Sequence, residues 1–335
     1  MHRTRSGRTR SPRRQRLVSL IALAGLILMT GCGSAFPTFR PVSSQGKIIV
    51  HQFVVVLILS AVVFLIVFGV LGWVLLHYRG QEGDDEPSQT AGNKTLEIIW
   101  TSIPIVMLIG LFVYSAFTMK SVDATDSSAL QINVIGHQWW WEYQYPSLGI
   151  DTASELHLPV GQPVQLNITG ADVIHSFWVP DLGWKMDAIP GKNNTMSLNL
   201  TKAGTFDGSC AEFCGSEHAW MRIRVIAQTQ SDFNNWTKMM RSPSPQPMSA
   251  LEKQGQQIFN SSTCVNCHVF SRVGPSLTHL GSRQWLGSGV MDNTSENLAN
   301  WIMNVQNIKP GALMPDFHYS PEQLDALVAY LEGQK

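Results

Sequence analysis

Charge is scarce in this chain. Only 14% of its 335 residues are Asp, Glu, Lys or Arg, against about 25% in an average soluble protein. With 44% hydrophobic residues, the balance suggests soluble domains averaged with membrane segments. Acidic residues are missing altogether from the first 31 positions, which hold seven of the 24 Lys and Arg. Without that stretch the chain has 17 basic against 24 acidic residues. A nucleic-acid binder keeps a basic face on its folded part, so that class is excluded. Cysteine is also rare: Cys32 stands alone, and Cys210/Cys214 and Cys264/Cys267 form two close pairs. A disulfide framework spreads its cysteines through a small chain, so these spacings point instead to ligation or covalent attachment.

Residues 1–31 read as an export signal: a basic start, then the apolar run Leu17–Met29, then Thr30-Gly31-Cys32. The run is too short to span the roughly 30 Å of bilayer hydrocarbon. Met29-Thr30-Gly31-Cys32 resembles a bacterial lipoprotein box, which would make Cys32 a lipidated N-terminus. A membrane hairpin is expected over 45–120, with spans of about 50–77 and 97–119. Its centres are the charge-free runs Phe53–Leu76 and Ile98–Met119. With the signal placing Cys32 outside, two crossings return the rest of the chain to the outer side. Over 121–230, short alternating runs such as Gln131–Ile135, Val164–Ile168, Met196–Leu200 and Met221–Ile226 predict a small all-β domain. Residues 231–250, with Ser-Pro-Ser-Pro-Gln-Pro, read as a linker. Residues 251–335 read as helical, with helices over Leu251–Asn260, Ser295–Val305 and Glu322–Glu332.

The most informative stretch is Cys210-Ala-Glu-Phe-Cys214-Gly-Ser-Glu-His218-Ala-Trp-Met221. Two thiolates, an imidazole and a thioether in one loop suit copper, and Cys, His and Met in that order are the ligands of blue-copper sites. A second thiolate lets two sulfurs bridge two copper ions. The alternative is a Cys210–Cys214 disulfide. A further imidazole is needed, and His175, 35 residues before Cys210 at the end of an apolar stretch, is the candidate. Its alternative role is a satisfied core histidine.

This loop, His175 with its surroundings and the two-helix hairpin resemble subunit II of the haem–copper cytochrome c oxidases, over about residues 45–228. The resemblance implies a cupredoxin-like domain with a binuclear CuA centre. Its side-chain ligands would be His175, Cys210, Cys214, His218 and Met221, with Glu212 ligating through its backbone carbonyl. The Glu212 carboxylate would also reach a magnesium ion shared with subunit I. In Gly136-His-Gln-Trp-Trp-Trp-Glu-Tyr-Gln-Tyr, Trp139 would be the residue through which electrons reach the copper. Glu97, at the start of the second span, resembles the carboxylate at the mouth of a proton-uptake channel. A carboxylate at a helix N-terminus also complements the macrodipole.

Cys264-Val-Asn-Cys267-His268 is the signature of covalently attached haem c, with His268 placed to ligate iron. A redox dithiol and half a zinc site are the other readings. Met314, just before Pro315, is the candidate for the second axial ligand, with Met291, Met303, His279 and His318 as competitors. Residues 251–335 resemble a class I cytochrome c, an all-α domain.

A copper subunit with a fused cytochrome resembles the caa-type oxidases. This implies that electrons from cytochrome c or an upstream respiratory complex enter the chain's haem c. They would then pass through CuA to subunit I, where oxygen is reduced to water with proton pumping. Subunit III would be a further partner, in a bacterial inner membrane with the copper and haem domains on the outer side. The linker would hold the cytochrome at high effective concentration. Nitrous oxide reductase, some nitric oxide reductases and Sco-type copper carriers have related loops. The first lacks the hairpin, the last lacks haem, and Glu97 is the feature that separates the chain from the second.

Overall fold

The architecture is that of a computed structural model describing residues 39–78, 89, 92–271 and 273–335. The export signal, Cys32 and most of the loop between the spans lie outside the described residues.

Helix α1 covers Ser44–His77 and α2 covers Lys94–Val122. At 1.5 Å per residue they are roughly 51 and 44 Å long, more than enough to cross a bilayer. Along their central stretches both expose apolar side chains on every face. Two polar pairs tie them together: His51 Nδ1 lies 2.9 Å from the Tyr114 hydroxyl, and Gln52 donates to Ser115 at 2.6 Å. Helix α1 starts inside the β-domain. Ser43 caps it by accepting from the Gly46 amide, while its hydroxyl also donates to the Leu182 carbonyl. The Val42 amide donates to Asp181, and Thr201 returns a bond to Val42. A Cβ on Gly46 would press on Pro41, Ser43 and the Leu182 oxygen at 2.9–3.0 Å, so only glycine fits this junction.

Ten strands follow: β1 Leu130–His137, β2 Trp140–Tyr145, β3 Ile150–Ala153, β4 Glu155–Pro159, β5 Pro163–Gly170, β6 His175–Trp178, β7 Met186–Ala188, β8 Asn194–Asn199, β9 Gly204–Cys210 and β10 Arg222–Gln228. They form two sheets, ordered β3-β2-β1-β5-β8 and β4-β10-β9-β6-β7. The parallel pairs β1/β5 and β4/β10 need crossovers, so this is a sandwich rather than a meander. Strict alternation in β1, β5 and β10 sends Ile132, Val134, Leu166, Ile168, Ile223 and Val225 inward, each at most 1% exposed.

The expected linker begins later than 231. Gln230–Met240 is a helix, α3, capped by Thr229, and its Phe233 and Trp236 are buried in the sandwich core. Trp236 stacks on His157 at 4.2 Å. The Pro-rich stretch after α3 is the covalent connection between the domains.

The C-terminal part consists of α4 Ala250–Ser261, α5 Ser295–Ile308 and α6 Pro321–Glu332, with a small hairpin of β11 Trp285–Leu286 and β12 Met291–Asp292. Helices α4 and α6 cross closely because residue 255 is glycine: a Cβ there would collide with the Ala326 carbonyl. Phe259, Leu298, Ile302, Leu327 and Leu331 fill the core.

Candidate metal centres

The loop from Cys210 to Met221 joins β9 to β10. The register Phe177↔Cys210 sets the first cysteine beside β6, whose first residue is His175. Two residues far apart in sequence are thereby brought together. Cys210 Sγ lies 3.8 Å from Cys214 Sγ, which lies 3.6 Å from His218 Nδ1 and 3.8 Å from Met221 Sδ. The ligand atoms of His175, Cys210 and Cys214 all lie within 4.8 Å of one another. The Glu212 carbonyl is 3.2 Å from Cys210 Sγ. The sulfur–sulfur distance far exceeds the roughly 2.05 Å of a disulfide, and both thiols are free.

Asp172 accepts from His175 Nε2 at 2.8 Å, leaving the buried Nδ1 without a hydrogen-bond partner. A carboxylate on one ring nitrogen that frees the other is the usual support of a metal-ligating histidine. Gly136 makes room for the ring: a Cβ there would lie 2.8 Å from His175 Cδ2. The Cys214 sulfur at its side, against the effect of burial, holds the Cys210 thiol well below the ordinary range. The neighbouring Cys210 sulfur, with burial, raises Cys214 far above the ordinary thiol range. Burial would lower His175, but Cys210 and Asp172 outweigh it and the ring is raised. A thiolate, a second sulfur, a thioether and an orphaned imidazole nitrogen in one dry pocket fit a soft metal such as copper.

The second centre is a cavity of about 440 Å³ lined by Cys264, Cys267, His268, Pro275, Ile302 and Met314. That volume is within the 300–1,000 Å³ usual for ligand and cofactor sites. His268 Nδ1 donates to the Pro275 carbonyl at 2.7 Å, which fixes the tautomer and leaves Nε2 for a metal. Gly274 lets the loop pass this ring, since a Cβ there would sit 2.7 Å from Cε1. Gln306 holds the Met314 carbonyl at 2.6 Å. Met291, Met303, His279 and His318 are not among the described residues lining the cavity. The donors and the cavity fit a covalently held haem.

The two centres share a wall. Trp139 and Trp140, from the turn into β2, also line the haem cavity. The Trp139 indole donates to the Cys214 carbonyl at 3.0 Å, and Gln138 donates to the same oxygen at 2.8 Å.

Family models match the chain in three blocks. "Cytochrome C oxidase subunit II, transmembrane domain" covers 39–118, "Cytochrome C oxidase subunit II, periplasmic domain" covers 147–228 and "Cytochrome c" covers 252–335. Cytochrome c oxidase subunit 2 of Alkalihalophilus pseudofirmus is 36% identical over 323 residues, 92% of this chain and 94% of its own.

The chain belongs to the cytochrome c oxidase subunit 2 family.

Subunit 2 of Bacillus subtilis is 34% identical, over 96% of this chain and 98% of its own. A solved structure, the periplasmic domain of subunit II of Bradyrhizobium japonicum cytochrome oxidase, is 33% identical over 35% of this chain and 97% of its own, with a TM-score of 0.34. This subunit 2 is thus a membrane protein of an oxidoreductase complex, with a transmembrane hairpin, a cupredoxin-like domain outside the membrane and a fused cytochrome c domain.

Not every expected site residue of the subunit joins these centres. Glu97 lies exposed in the first turn of α2, some 38 Å along the helix from its domain end. The Glu212 side chain is exposed, beside Phe213 at 76%. Sequence reasoning missed Asp172, Gln138 and Lys309. Asp172, three residues before His175, was open to discovery, because ligating histidines commonly lean on a carboxylate.

Proposed function

We propose that this subunit takes electrons from a donor at its C-terminal domain and delivers them, through the copper loop, to the oxygen-reducing subunit I. The donor is cytochrome c or an upstream respiratory complex. When bound, haem c and the binuclear CuA centre would supply one-electron carriers.

The chain's residues supply the rest. Cys264 and Cys267 would hold the porphyrin by thioethers, and His268 and Met314 would hold its iron. His175, Cys210, Cys214, His218, Met221 and the Glu212 carbonyl would hold the copper pair. Burial of both cysteines and of His175 keeps water from that pair, and Asp172 keeps the imidazole in place. Trp139 spans the gap, one face on the haem cavity and its N–H on Cys214. That bridge is the observation that carries the reading.

The exposed Glu212 side chain suits a magnesium ion shared with subunit I, on a face left free for that partner. Glu97, at the far end of the hairpin from the soluble domains, suits the mouth of a proton-uptake path on the cytoplasmic side. These roles go with proton pumping by a complex that includes subunit III, in the inner membrane of a bacterium. The signal over 1–31 and a lipidated Cys32 would complete the anchorage.

The test is made on the full chain, matured with copper and haem in a detergent micelle. Haem c optical bands and a copper EPR spectrum with one unpaired electron shared over two nuclei are expected. Reducing the haem with substoichiometric reductant should bleach the copper signal. Absence of a binuclear copper signal after full metallation, with a Cys210–Cys214 disulfide found by mass spectrometry, overturns the reading.

A further inference from the structure

Lys309 follows the last turn of α5 and is 4% exposed, an unusual place for an ammonium. Its Nζ donates to three main-chain oxygens: Trp139 at 2.9 Å, Trp220 at 3.2 Å and Gly287 at 2.9 Å. An ammonium has three N–H donors, and all three are used. Two of the acceptors belong to the copper domain. Trp139 is the residue on Cys214, and Trp220 sits in the copper loop between His218 and Met221. The third acceptor belongs to the haem domain, and Lys309 itself lines the haem cavity.

The ammonium also meets a suitable field. Glu217 is buried within electrostatic reach of it, with one carboxylate oxygen lacking a hydrogen-bond partner. Burial lowers Lys309 to about 8, with Glu217 and Cys214 opposing that fall. A buried charge survives only where its donors are satisfied, and here the satisfaction comes from both domains at once.

Other contacts also hold the domains face to face. Glu155 accepts from the Gln284 and Trp285 amides at 2.7 and 3.1 Å. Arg224 lies 3.3 Å over the Trp285 ring, and Arg222 and Ser288 exchange two bonds of 3.1 Å. These contacts account for docking. They do not touch Trp139.

We propose that Lys309 is the positioning residue of the relay, a three-way lock that sets the haem cavity against Trp139 and the copper loop. The inference rests on the electron relay proposed above and names the group that fixes its geometry. Tunnelling falls exponentially with distance, so a lock at the bridge governs rate even where docking is maintained elsewhere.

Two measurements on the metallated full chain test it. The first needs no variant. Acylation with acetic anhydride, mapped by mass spectrometry, should label the exposed Lys192, Lys202 and Lys253 at least about tenfold faster than Lys309. Equal labelling means the lock is not closed in solution and overturns the proposal. The second uses Lys309→Met, which keeps the stem and removes the donors. After photoreduction of the haem, transfer to copper should slow by about tenfold or more, because the bridge is misplaced. Haem optical and copper EPR spectra should be retained. Transfer within about twofold of the unsubstituted rate, with both spectra intact, overturns the positioning role. If the variant does not fold, the labelling result decides. A protected Lys309 in an unsubstituted chain that shows no haem-to-copper transfer would sink the relay, and the role with it, while leaving the contact itself standing.

Discussion

The Trp139 indole nitrogen and the Cys214 carbonyl oxygen lie 3.0 Å apart, joining a wall of the haem cavity to the main chain of a copper-loop cysteine. Trp139→Phe keeps an aromatic face on the cavity but deletes this bond, while Gln138 still reaches the same oxygen. Transfer from haem to copper is expected to slow, and stability to fall by about 1 kcal/mol, the usual net loss for one neutral hydrogen bond. Flash photoreduction and denaturant titration check the two halves.

Met314→Ala should leave haem attached through Cys264 and Cys267, with His268 still held by Pro275. Losing the thioether should change the spin state and lower the reduction potential, since methionine ligation raises it. Optical spectroscopy and potentiometry would show this. An unchanged potential would mean that another residue supplies the second axial ligand.

Asp172→Ala removes the acceptor of His175 Nε2 and of the Gln138 amide. Loss of such support typically weakens metal affinity by about 10- to 100-fold. Copper retention on dialysis against a chelator should fall accordingly, with haem content unchanged.

Acid should weaken the sandwich through His157. Burial, partly opposed by Gln228, lowers this ring to about 4. Below about pH 6.5 the unfolded chain takes up a proton that the folded ring refuses until about pH 4, so the stabilisation is complete above 6.5 and lost as pH falls to 4. Up to about 3 kcal/mol is involved, at 1.36 kcal/mol per pH unit. Urea unfolding at pH 7 and 4.5, compared with His157→Phe, measures it; the variant should lose most of that slope.

Some of this architecture could be read directly because its signals are local. Charge-free runs marked α1 and α2, alternation marked β1, β5, β8 and β10, and each metal centre announced itself in a compact motif. The helix Gln230–Met240 was overlooked because the prolines that follow it dominate the composition. Thr229 with Asp232 three residues on is nevertheless a capping signal, and Phe233 and Trp236 share a face. The residues that make the contact between the domains were not readable. Lys309 bonds only to main-chain oxygens, and a peptide oxygen is the same at every position.

The way α1 is rooted has a mechanical consequence. Ser43, Gln45 and Lys47 bond to Leu182, Asn199 and Thr201, so the helix enters the sandwich without a hinge. A bilayer thinner or thicker than the apolar span must then tilt the whole unit rather than bend a neck, because helices answer hydrophobic mismatch by tilting. Membrane thickness would in that way set the height of the copper loop above the lipid surface, like a mast stepped directly into the deck.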